Sequence, residues 1–118
     1  MGTWGSLPWE SDGAADWFGD LFEKTKLARH IERTLKLDPE DFYEEIRAAA
    51  SVVLLLCHNF VWPVDQIDRH LELAASALEK LMELEEFKED RSTLETLKAE
   101  VKVLRSRMGG DEQCSGTK

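Results

Sequence analysis

An all-α fold follows from three features of the sequence. Apolar residues recur at helical spacing over four long segments, helix start and stop signals fall between those segments, and alternating, strand-like patterning is absent. At 118 residues with 42% hydrophobic residues, the chain is long enough for one buried core and too apolar for a disordered polymer, although 33% of it is charged. The expected architecture is an up-down bundle of four to five helices, preceded by an ordered Gly/Trp loop. Residues 1–108 form the single domain and 109–118 a flexible tail.

The opening loop, Gly2 to Gly13, holds Gly2, Gly5, Pro8 and Gly13 with Trp4 and Trp9 between them. Indoles of this size are expected to pack over the domain core. Ser11 and Asp12 are N-cap candidates for the first helix, whose apolar positions are Ala14, Trp17, Phe18, Leu21 and Phe22. The pattern falters at Lys24-Thr25-Lys26, which predicts a kink or a second short helix capped by Thr25. It resumes at Leu27, Ala28, Ile31 and Leu35.

Asp38-Pro39 is a strong helix start, because proline at the first helical position loses no hydrogen bond. The helix that follows is nearly all apolar from Ala48 to Cys57, which predicts the central, most buried element. Trp62-Pro63 breaks the pattern. Asp65 is the expected cap of the next helix, with Ile67, Leu71, Ala74, Leu78 and Leu81 inward. Ser92-Thr93-Leu94-Glu95 has the form of a capping box, and Leu94, Leu97, Val101, Leu104 and Met108 stripe the last helix before Gly109-Gly110.

The charge balance narrows the choice of partners. The net charge is -9, and lysines and arginines alternate with acidic neighbours along the sequence. A nucleic-acid ligand or an anionic membrane surface is therefore not expected, and the acidic balance suits either plain solubility or a basic protein partner. The longest apolar stretch is far short of the roughly 20 residues that span a bilayer. The first residues lack the basic start and apolar run of a secretion signal, and Cys57 and Cys114 make neither a disulfide framework nor a CxxC pair. A cytoplasmic location is expected. Gly2 with Ser6 matches the spacing of a myristoylation site, but no basic cluster follows to supply a second membrane signal.

The N-terminal stretch MGTWGSLPWESDGAADWFGDL resembles the opening of the bacterial family called domain of unknown function 4259. Gly2, Trp4, Gly5, Pro8, Asp12, Ala14, Asp16 and Trp17 fit the family pattern. Leu7, Trp9 and Ser11 stand where it usually has glycine, phenylalanine and asparagine. The run Ala48 to Val53 is similar to the family's alanine-rich central helix, with Ser51 where a glutamate is frequent. The resemblance implies a small helical protein and no known activity, cofactor or substrate.

Motifs for phosphate cradling, nucleophile elbows, dinucleotide binding and zinc-binding histidine pairs are missing, and no cofactor is expected. Asp12, Asp16 and Asp20 stand four residues apart on one helix face. With Trp4 and Trp9 they form the candidate partner-binding set. Tryptophan ringed by acidic residues has the anchor-and-rim character of an interface, and it equally suits a lid over the core with a solvated acidic face. The first functional reading is a non-enzymatic interaction module, forming a homodimer or inhibiting a basic partner in the manner of an immunity protein. The rival reading is a metal-binding or hydrolytic bundle that uses the three aspartates with a distant histidine.

Overall fold

The structure, a computed structural model, describes Pro8 and residues 11–57 and 61–108. Six α-helices follow in order: α1 (Asp12–Thr25), α2 (Leu27–Leu35), α3 (Pro39–Leu56), α4 (Ile67–Leu81), α5 (Glu85–Lys88) and α6 (Arg91–Arg107). A 3-10 turn over Val64–Gln66 leads into α4, and no strand element occurs among the described residues. The expected loop from Gly2 to Gly13 and the tail 109–118 fall largely outside the described residues.

Local chemistry accounts for several of the helix starts. The Ser11 hydroxyl accepts from the Ala14 amide at 3.1 Å and caps α1. The Asp38 carboxylate accepts from the Glu40 amide at 3.0 Å, with Pro39 in the first turn of α3. The break near Thr25 separates two helices, but Thr25 does not cap the second. Its hydroxyl turns back to the Leu21 carbonyl at 2.6 Å. Lys26 makes the joint instead, with left-handed backbone (φ 55°, ψ 35°) that ends α1 and begins α2. A side chain in that region costs about 1 kcal/mol, so the surrounding bonds must hold it there. Its amide donates to the Phe22 carbonyl and its carbonyl accepts from the His30 amide.

Two further caps move from their expected positions. Asp65 lies within the 3-10 turn, so Gln66 precedes α4 and contributes no side-chain cap. At α6, Asp90 takes the place expected for Ser92. Its carboxylate accepts from the Thr93 amide at 3.1 Å and from the Thr93 hydroxyl at 2.7 Å. A full negative charge interacts more strongly than a serine hydroxyl with the positive end of a helix.

The central element is α4, not the apolar α3. Ile67, His70, Leu71, Ala74, Ala75, Ala77, Leu78 and Leu81 are all buried along α4, whereas α3 buries Ile46, Ala49, Ala50 and Val53. Helix α4 packs against α2, α3 and α6, while the outer face of α3 leaves Leu55 71% exposed. Alanines on α4 let the neighbouring helices approach closely, and Leu97, Val101 and Leu104 of α6 close the other side. Tyr43 of α3 meets Phe87 of α5 edge to face at 5.7 Å between ring centres. The Arg107 guanidinium donates to the Leu54 carbonyl, satisfying one of the acceptors left open in the last turn of α3.

Candidate functional site

Two features of opposite charge lie on and beside α2. The first is the acidic face of α1. Asp12, Asp16, Asp20 and Glu23 are exposed on one side of this helix, and Phe22, on the other, is its buried side chain. Trp17 borders the acidic row and is 61% exposed, its ring edge to face with Phe18 at 5.4 Å. Asp16, Trp17 and Asp20 thus present an apolar plate beside two carboxylates. Trp4 and Trp9 lie outside the described residues, so of the five candidate residues the structure places Asp12, Asp16 and Asp20. Among the described residues, no group of three or more His, Cys, Asp or Glu side chains is arranged to hold a metal ion.

The second feature joins residues far apart in the chain. Trp62 is buried, and its indole N–H donates to His70 Nδ1 at 2.9 Å. Indole nitrogen can only donate, so Nδ1 accepts and the ring proton resides on Nε2. That proton points to Glu32 Oε1, 2.9 Å away. His70 is fully buried and both of its ring nitrogens are occupied. Edge-to-face contacts of Trp62 with Phe22 and with His70 fix the ring planes.

Glu32 is the outer end of this chain of hydrogen bonds. Besides His70 it receives Arg69 Nη1 at 2.7 Å and Lys36 Nζ at 3.0 Å. The His70 hydrogen bond, followed by those of Lys36 and Arg69, holds the pKa of its carboxyl at about 2, below the ordinary value of 4.5. A carboxylate this strongly ionised is a poor proton acceptor near neutrality. Its neighbour His70, buried with both nitrogens engaged, has no free position for a substrate. The Glu32–His70–Trp62 arrangement therefore ties α2 to α4, and its chemistry is spent on structure.

The solvent side of Glu32 opens into a cleft of about 630 Å³ lined by Arg29, Glu32, Arg33, Lys36, Gln66 and Arg69. Four cations surround one carboxylate there, in a chain with a net charge of -9. Sequence reading missed this cluster because each cation has acidic or neutral neighbours along the chain. The helical offsets of Arg29, Arg33 and Lys36 were the available signal, and the α4 contribution, Arg69, had none.

Cys57 is buried, its thiol 3.7 Å from the Ile67 carbonyl, and burial pushes it up to about 12. It is not a nucleophile in this setting, and His58, its neighbour in sequence, lies outside the described residues. Ser51, at the family's frequent glutamate position, is exposed and donates to the Ala48 carbonyl. Among the described residues no helix is long and apolar enough to cross a membrane. No curated protein and no solved structure matches the chain. A family model covers residues 2–106, nearly the whole sequence, and by that match the chain belongs to the family described as a domain of unknown function (DUF4259).

Proposed function

We propose that this protein is a non-enzymatic interaction module whose α1 face docks a basic protein partner in the cytoplasm. The observation that carries this reading is Trp17, a large apolar ring left 61% exposed beside Asp16 and Asp20. Exposed tryptophan is enriched at the energetic centres of interfaces, and the flanking carboxylates supply steering and register toward a cationic surface. Helix α1 packs against α2, and Asp16, Trp17 and Asp20 on its other side are exposed. The specific form we favour is an inhibitor of the immunity type, which neutralises a basic partner by covering it.

Affinity capture from the native host, with Trp17→Ala and Asp16→Lys/Asp20→Lys variants alongside the parent chain, tests the reading. A basic protein retained by the parent, released by added salt and lost with both variants supports it. Retention of the same proteins by all three chains defeats it.

A further inference from the structure

The cleft between α2 and the start of α4 has a charge opposite to that of the whole molecule. Arg29 and Arg33 stand four residues apart on α2, Lys36 follows at its C-terminal cap, and Arg69 faces them from α4. Lys36 and Arg69 are bound to Glu32. Arg29 and Arg33 are exposed on the cleft wall and make no ion pair among the described residues. Local charge is therefore three positive in excess, concentrated along about 10 Å of helix.

We infer that this cleft, centred on Arg29, Arg33, Lys36 and Arg69, binds a compact phosphate-bearing anion. Glu32 already shows what Lys36 and Arg69 bind: an oxyanion receiving guanidinium and ammonium donors together. A second singly charged carboxylate would offer them no more than Glu32 does. A dianionic phosphoryl group offers greater charge and three acceptor oxygens, and planar arginine forks match its geometry. Gln66, held 3.4 Å from Arg69 Nη2, adds a neutral polar group on the same wall. The short length of the cationic stretch suits one compact ligand and not the track of a polynucleotide backbone. Because Glu32 competes for Arg69 and Lys36, it acts as an internal brake on affinity.

Calorimetric titration with inorganic phosphate and with pyrophosphate at low ionic strength tests the assignment, with chloride as the control for bulk charge. A saturable heat with pyrophosphate is expected, weaker by about tenfold or more in an Arg29→Gln/Arg33→Gln chain. A Lys98→Gln/Lys102→Gln chain, which loses the same charge from the exposed side of α6, should bind as the parent does. Glu32→Gln should tighten binding, the opposite of what a damaged fold would give. The Arg29/Arg33 result stands without Glu32→Gln if that chain unfolds. Absence of saturable heat with either anion overturns the proposal. So does equal weakening by the two charge-removing pairs, or affinity for a single-stranded oligonucleotide that rises with its length.

Discussion

The indole of Trp62 and the imidazole of His70 share one hydrogen bond of 2.9 Å inside the core, and that bond decides which nitrogen of His70 carries its proton. Because Nδ1 accepts, Nε2 donates to Glu32, and a residue of α2 is bound to a residue of α4 through a group with no exposed surface.

Replacing Trp62 with phenylalanine keeps most of the ring but leaves His70 Nδ1 buried without a donor. The expected loss is on the order of 1–3 kcal/mol, beyond any packing change. A Trp62→Phe/His70→Leu chain should lose less than the sum of the two single changes, since neither polar group is then stranded. Denaturant melts of the four chains in this cycle measure the coupling. Strict additivity would show that the bond contributes nothing to stability.

Glu32 makes stability depend on pH in a defined direction. The pKa of its carboxyl is depressed in the folded chain, so the stabilisation is fully present above the ordinary value of 4.5 and is lost as pH falls toward about 2. The difference in unfolding free energy between the parent chain and Glu32→Gln should be largest near neutrality and shrink through that acid range. A difference that stays constant from neutral pH to acid would contradict the assignment.

Leu78 is 1% exposed on the inner face of α4. Leu78→Ala should cost roughly 2–5 kcal/mol in chemical denaturation, the range for a buried leucine whose cavity does not collapse. An effect below that range would place the packing centre elsewhere.

The start of α6 is decided by Asp90, whose carboxyl is lowered by its bonds to the Thr93 side chain and amide. Asp90→Ala should lower the melting temperature more than Ser92→Ala or Glu95→Ala, because Asp90 makes the cap and Glu95 is exposed. Thermal melts at neutral pH would show the order, and a larger effect at Ser92 would restore the capping box.

The parts legible in the sequence were those set by near neighbours. Asp38-Pro39 and Ser11 each fix a helix start through atoms two or three residues away, and the periodic leucines of α4 and α6 assign the inner faces directly. Asp90 and Ser92 are both good acceptors two positions apart, so composition alone did not choose between them. Helix α3 looked central because Ala48 to Cys57 is apolar. Which helix lies in the middle depends on how many others pack around it, and local hydrophobicity does not encode that number. The Glu32–His70 bond spans 38 residues, and the cationic cleft needs both α2 and α4 in place before it exists. Trp17 was read from its helical spacing as part of an apolar stripe, and its exposure emerged from the fold.

The left-handed Lys26 joint separates two parts of the molecule that the core holds to different degrees. Across it, α1 meets the core through Phe22 with Phe18 packed beside it, while α2 is fastened by Ala28, Ile31, Leu35 and Glu32. Substitutions at outward positions of α1 therefore change surface chemistry without disturbing the Trp62–His70 bond or the α4 packing. Exposed residues of this helix can be exchanged to alter the surface it presents, while the scaffold beneath it keeps its own contacts.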